Sequence, residues 1–306
     1  MKIAGIVALV AIALAPFLST SQAVANMALL AALAVAGGQA WNIAGGFGGM
    51  MSFGHVAFFG VGAYTTAILQ TRYGVNPWLT LPIAGAIAAA VGFIISWCCS
   101  RAGLQGSYFA LVTLAIAEAF RILANSLDFT RGGLGISLDL NLAASNFQFS
   151  DKRVFYAVAL IVALAATLVC WWITRSRFGA RLIAIRENPD AARALGVDVS
   201  LTRAGALALS GAVTALTGVI YAQVFLYIDP NIAFGVWRSV DMMLVALVGG
   251  SGTIVGPIIG GLVLHLLSEG SRELIDIPGF APALYGIVLL LIIGLLPGGF
   301  ARLRHA

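Results

Sequence analysis

The sequence predicts an all-α polytopic membrane protein with about ten transmembrane or partial transmembrane helices. Three observations predict it. Hydrophobic residues make up 60% of the 306 residues and charged residues only 9%. A soluble domain carries about 25% charged residues, so the apolar excess needs a bilayer as its solvent. Apolar runs recur close to the ~20 residues a helix needs to cross. Finally, the one long polar interruption in the second half, residues 175–203, carries Arg175, Arg177, Arg181, Arg186, Arg193 and Arg203. A cationic loop between spans resists translocation and stays on the cytoplasmic side, which orients everything else.

Taken in order, the first apolar run is 3–19, behind Lys2. It reads as a retained first span with a cytoplasmic start. A signal peptide cleaved near Ala23-Val24-Ala25 is the alternative. A second span covers 26–44, followed by the glycine-rich stretch Gly45 to His55. Backbone freed by that much glycine at membrane depth must be buried in protein or line a wet cavity. The third span, 56–71, holds Gly60 and Gly62, which let helices approach closely. The fourth, 78–99, starts after Asn76-Pro77 and ends before Arg101, and the fifth is 104–124. Residues 125–153 carry mixed charge, which suits a periplasmic loop, and the sixth span, 154–174, leads into the basic loop. The seventh, 204–227, exits near Asp229-Pro230-Asn231.

Two short runs follow, 239–248 and 254–268, split by Gly249-Gly250-Ser251-Gly252. Each is short for a full crossing, so they read as tilted or partial spans with a turn between. The tenth span is 281–297, and Arg302 and Arg304 hold the C-terminus inside. The count places both termini in the cytoplasm and the whole chain, 1–306, in one transmembrane domain. The arginine bias outside the central loop is weak.

Several functions have no residues to stand on. No GxxxxGK[ST] cradle for phosphate occurs, and Lys2 and Lys152 both lie outside glycine-rich surroundings. His55, His265 and His305 are far apart, and no metal spacing, GxSxG or HExxH is present. Cys98, Cys99 and Cys170 form no CxxC and read as small buried hydrophobes. A net charge of +5 clustered in loops fits retention of loops, not nucleic-acid binding. The chain reads as a non-enzyme that binds no cofactor and no metal. Uphill movement of solute would draw on an ion gradient or on a partner.

An internal echo links Gly48-Gly49 through Gly54 to Gly250 through Gly256, each opening an apolar helix. Paired breaks of this kind mark transporter pathways; two packing seams are the alternative. Residues near such breaks are candidates for a translocation path: Gly48, Gly49, Ser52, Gly54, His55, Gly249, Gly250, Ser251, Thr253 and Gly256. Hydroxyls and freed carbonyls there can contact a zwitterion. His55 is either a proton handle or a packed histidine bonded to backbone. Glu118 and Arg121, and likewise Arg238 and Asp241, stand one turn apart, a spacing that neutralises charge within a helix. Glu118 facing the pathway or a partner is the alternative. Trp78, Trp171, Trp172 and Tyr227 read as interfacial anchors.

Five stretches together resemble the permease subunits of bacterial ABC importers for branched-chain amino acids. GGMMSFGHVAFFGVGAYTTAIL from Gly48 and GSYFALVTLAIAE from Gly106 to Glu118 look like two of the family's blocks. TRGGLGI, Thr130 to Ile136, is similar to its outer-loop element, with Arg131 where Gly is commoner. SRFGARLIAIRENPDAARALGV, Ser176 to Val197, resembles its cytoplasmic loop. LSGAVTALTGVIYA and VGGSGTIVGP, Leu209 to Ala222 and Val248 to Pro257, resemble its C-terminal half. The resemblance implies a permease of the bacterial inner membrane, working by alternating access. It pairs with a distinct second permease subunit and two cytoplasmic ABC ATPases that bind the ATP. A periplasmic substrate-binding protein delivers leucine, isoleucine or valine.

It also implies that Glu187 to Gly196 is a coupling helix seated in the ATPase. Arg186, Glu187, Asp190, Ala191, Ala192, Arg193, Leu195 and Gly196 carry that role. Asp190-Ala191-Ala192 then Gly196 is similar to the EAA-then-Gly pattern, with Asp for Glu. The residues agree: alanines permit close approach, Pro189 suits a first turn, Gly196 can stop the helix, and Arg186 and Arg193 can pair with partner carboxylates. A solvated loop serving topology alone is the alternative. A urea or short-amide importer shares most of these motifs, and an ion-coupled transporter or channel acting alone is the rival from another class.

Overall fold

The computed structural model of the chain describes residues 11, 13–19, 21–274 and 286–287. Residues 13–18 of the first expected span are helical. The rest of that span, most of the tenth, Arg302 and Arg304 lie outside the described residues. The remaining expected spans appear as helices. They are α1 (Gln22–Trp41), α2 (His55–Tyr73), α3 (Pro77–Arg101), α4 (Gly106–Ser126), α5 (Lys152–Arg175), α8 (Val199–Phe225), α10 (Val236–Gly249) and α11 (Gly256–Leu274). Two short helices, α6 (Arg177–Glu187) and α7 (Pro189–Ala194), make up the basic connection, and α9 (Pro230–Phe234) leads into α10.

Among the described residues, six segments are long and apolar enough to cross a membrane: Gln22–Phe47, Pro77–Arg101, Gly106–Ser126, Lys152–Arg175, Val199–Phe225 and Pro230–Gly249. The protein is therefore a multi-pass membrane protein. The run expected at 239–248 is longer than its hydropathy showed. Trp237, Arg238 and Asp241 interrupt the apolar pattern, yet they are helical and extend the segment back to Pro230.

Helix ends follow local chemistry. Asn76 caps α3 by accepting from Trp78 N at 2.9 Å, and Pro77 occupies the first turn, where no N–H is needed. Asp151 and Asp198 cap α5 and α8 in the same way. Gly74, at φ 62°, ends α2 in the left-handed conformation that glycine adopts without strain.

Helix α8 is the central element, with α3, α2, α1 and α5 packed around it. Small residues set the distance. A Cβ added at Gly92 would lie 2.7 Å from the Leu207 carbonyl oxygen, and one at Gly211 would lie 2.9 Å from that of Ala88. Without a hydrophobic drive between helices in lipid, such backbone proximity supplies the packing energy. Thr66 of α2 and Thr80 of α3 share a buried hydroxyl–hydroxyl bond where those two helices meet.

The loop between α4 and α5 is ordered by tertiary contacts the sequence did not disclose. Ile136–Ser137 pairs antiparallel with Tyr227–Ile228, so the loop is tied to the end of α8. Trp78 donates from Nε1 to the Ala144 carbonyl at 2.8 Å and stacks on buried Phe147 at 4.3 Å. Trp78 therefore anchors this loop as well as a helix end. The 45–54, 102–105, 176–198 and 250–255 connections share the opposite, arginine-rich end.

Candidate functional site: a braced pair of helix breaks

The two glycine-rich breaks meet. Helix α1 ends in a wider π turn over Asn42–Phe47, and the chain then runs irregularly to His55. Asn42, fully buried, reaches across to the other break. Its Nδ2 donates to the Thr253 carbonyl at 2.8 Å, and its Oδ1 accepts from Gly252 N at 2.7 Å. Gln39, one turn earlier, donates to the Ile254 carbonyl at 2.7 Å. Irregular backbone at a span end is thus satisfied by two amide side chains, as burial requires.

Most of the residues picked from sequence cluster at this junction. Gly49, at φ 65°, faces the stem of Arg186, and a Cβ there would lie 2.6 Å from Arg186 Cγ. Gly48 packs by the Ala44 carbonyl and Leu182. Gly249 lies against the Gly256 backbone, and Gly256 against the Gly250 carbonyl and Thr253 Oγ1. Gly250, at φ 117°, donates to the Ala246 carbonyl at 3.0 Å. Thr253 Oγ1 donates to the Gly250 carbonyl at 2.7 Å and accepts from Gly256 N at 3.0 Å, which closes that turn. Ser251 is exposed.

His55 and Ser52 sit deeper and form a buried polar pin. Ser210 Oγ donates to the Ala40 carbonyl at 2.6 Å, so its one proton is spent. His55 Nε2, 2.7 Å away, must therefore donate to it, and Nδ1 accepts from Ser52 Oγ at 3.2 Å. A neutral imidazole satisfies the set. The partners are hydroxyls, not the backbone expected from sequence, and they join α1, α2 and α8. Gly54 is pressed against Thr113 of α4, whose carbonyl oxygen a Cβ would meet at 2.7 Å.

Glu118 lies apart from this junction. It holds Arg121 in a fork of bonds at 2.6–3.0 Å, and Arg121 Nη1 extends to Asn231 Oδ1 at 3.0 Å. The in-helix pairing expected for these two is present and ties α4 to the start of α9. The same expectation for Arg238 and Asp241 is corrected. Among the described residues no carboxylate lies within ion-pair distance of Arg238. Its guanidinium instead covers the rings of Phe59 at 4.2 Å and Tyr221 at 4.5 Å. Those faces come from α2 and α8, neighbours that sequence spacing cannot reveal.

The basic loop folds as the spacing predicts. Asn188 caps α7 by accepting from Asp190 N and Ala191 N, both at 3.0 Å. Pro189 opens the helix, and Gly196, at φ 81°, stops it. Ala192 packs inward with Ile185 and Val199, so of the Ala191-Ala192 pair Ala191 remains available for close approach. Leu195 is 83% exposed, an apolar knob with no cover in the described chain. The arginines differ from expectation. Arg193 pairs with Asp190 at 2.5 Å, and Arg186 holds Glu187 at 2.8 Å. Arg186 also donates from Nη1 to the Gly46 carbonyl at 2.9 Å, and Gly252 lies beside the same nitrogen. One side chain thus connects the α6–α7 turn to both breaks.

Comparison with known proteins decides the family. The family described as "Branched-chain amino acid transport system / permease component" matches residues 22–295. This chain belongs to that family. It is 31% identical over 293 residues to the high-affinity branched-chain amino acid transport system permease protein LivM of Escherichia coli K12, covering 88% of this chain and 68% of that protein. It is 27% identical over 277 residues to a probable LivM of Methanocaldococcus jannaschii, covering 82% and 80%. LivH of Salmonella typhimurium, also a permease protein of such a system, is 25% identical over 270 residues, covering 82% and 85%. No solved structure matches. A member of this family is a permease component of a transport system, and the braced breaks described above belong to such a component.

Proposed function

We propose that this chain is one of two permease subunits in an ATP-driven importer that moves leucine, isoleucine or valine into the cytoplasm. Two ABC ATPases bind and hydrolyse the ATP, and a periplasmic protein delivers the solute. The chain itself holds no cofactor. The positive-inside rule puts the arginine-rich end in the cytoplasm of a bacterial cell, within its inner membrane.

One observation carries the mechanism: Arg186 links the α6–α7 turn to the Gly46 carbonyl at 2.9 Å. In this reading α7 and the Leu195 knob seat in an ATPase cleft. Closure of the ATPases displaces α7, and Arg186 passes the displacement to the paired glycine breaks. These are irregular, held by a few amide bonds, and can exchange two arrangements at modest cost. Access then alternates by rigid movement of α1 and α11 about the breaks. Reconstitution tests it. The complete assembly should take up labelled leucine with ATP and fail when the ATPases are omitted. Uptake by this chain alone under an ion gradient, or uptake of urea in place of leucine, would overturn the reading.

A further inference from the structure

A second site lies away from the breaks, in mid-membrane. A cavity of about 190 Å³ opens between α1, α2, α8, α10 and α11. Leu33, Phe59, Tyr221, Arg238, Asp241 and Met242 are among its walls. Its volume is about six water molecules' share of liquid, room for a small solute and not for a peptide. None of the path residues picked from sequence lines it.

Its chemistry is unusual for this depth. Arg238 and Asp241 fall near the middle of the membrane segment Pro230–Gly249. Charges there are costly and are kept where they pair or serve a solute. These two do not form an ion pair with each other. Arg238 lies over the Phe59 and Tyr221 rings, while Asp241 is exposed at the cavity mouth. Side chains one turn apart project from the same helix face about 5–6 Å apart at Cβ. A solute carrying both an anion and a cation on one carbon can bridge them, the carboxylate on the guanidinium and the ammonium on Asp241. Thr217 and His265 add two more polar side chains to the lining, and the rest of the wall, including Leu33 and Met242, is apolar and suits an aliphatic side chain.

We infer that this cavity is a transit site for a zwitterionic α-amino acid, with Arg238 receiving the carboxylate, Asp241 the ammonium, and Leu33 and Met242 the aliphatic side chain. The inference rests on the importer reading and adds to it a binding step inside the membrane. The solute brings an opposite charge to each of two side chains that, among the described residues, form no direct ion pair.

The test is equilibrium binding of tritiated leucine to the two-permease, two-ATPase complex in nanodiscs, without the binding protein. Competitors are urea, 4-methylpentanoate, which lacks the ammonium, and 3-methylbutylamine, which lacks the carboxylate. Wild type should bind leucine saturably and prefer it to all three. Arg238→Gln and Asp241→Asn should each weaken leucine at least ~10-fold, the loss expected when one partner of a charged hydrogen-bonded pair is removed. The decisive readout is a change of order. Asp241→Asn should abolish the disadvantage of the acid relative to leucine, Arg238→Gln that of the amine, and Arg238→Lys should keep most leucine binding. Unchanged affinity in both variants, or weakened affinity with the competitor order intact, would overturn the site. ATP-driven leucine uptake by the complete assembly, run in parallel, separates the two ideas. Normal uptake with no effect of either variant removes the cavity and leaves the importer. Transport of urea with no leucine binding removes both.

Discussion

Replacing Asn42 with alanine tests whether the two breaks are one unit. The amide makes two hydrogen bonds across the junction, to the Thr253 carbonyl at 2.8 Å and from Gly252 N at 2.7 Å. Alanine leaves both groups unpaired. Each costs about 1–3 kcal/mol when burial denies it water. These two are partly reachable from the arginine-rich end, so the lower range applies, a loss of about 2–3 kcal/mol. For a chain of this size that lowers the melting temperature by roughly 3–5 °C. The assay is thermal unfolding of the detergent-solubilised protein, followed by size-exclusion fluorescence. The control is Asn26→Ala at the opposite end, where the amide accepts only from exposed Lys152 Nζ at 2.9 Å; it should change stability by less than about 0.5 kcal/mol. If Asn42→Ala melts with the wild type and Asn26→Ala, the breaks are not held together by this side chain, and the junction described above loses its brace.

The remaining predictions concern coupling and packing. Arg186→Ala should leave ATP hydrolysis by the assembly intact and cut uptake roughly tenfold or more, since a charged hydrogen bond to a carbonyl is worth about 1.5–3 kcal/mol; equal loss of both activities would count against a transmitting role. Gly196→Ala should cost about 1–2 kcal/mol through backbone strain at φ 81° alone, because nothing lies within 4 Å of the added Cβ. Gly196→Asn should cost less, and hydrogen exchange at Leu195 and Gly196 reads the difference. Leu195→Asp should leave the chain inserted and folded but abolish its co-purification with the ATPases. Gly92→Val should prevent α3 from seating on α8, because its Cβ would fall 2.7 Å from the Leu207 carbonyl oxygen; a protease-resistant, normally eluting variant would contradict that packing.

Much of this was legible in the chain. Hydropathy located the spans because α3, α5 and α8 carry few charges over their length. The spacing from Asp190 to Gly196 gave α7 and its stop, since cap, proline and glycine act locally. The glycine echo pointed to two breaks, though not to their meeting, which depends on Asn42 and Gln39 reaching more than 200 residues along the chain. Arg238 and Asp241 misled both readings made of them. Their charge hid the start of α10 from hydropathy, and their spacing predicted a bond that the rings of Phe59 and Tyr221 pre-empt. The ribbon between Ile136–Ser137 and Tyr227–Ile228 is too short to leave any alternation in sequence. The arginines of the basic loop were read as free for a partner, because side-chain reach to Asp190, Glu187 and Gly46 is set by how α6 and α7 fold back.

The surface of α8 has a mechanical consequence. Where Gly92, Gly211, Gly62 and Gly218 bring backbones together, few side chains mesh like gear teeth, so a neighbouring helix has little to unlock before it turns. A smooth bearing of this kind allows rotation with almost no rotamer change, and it has no slack: one added methyl group is enough to seize it.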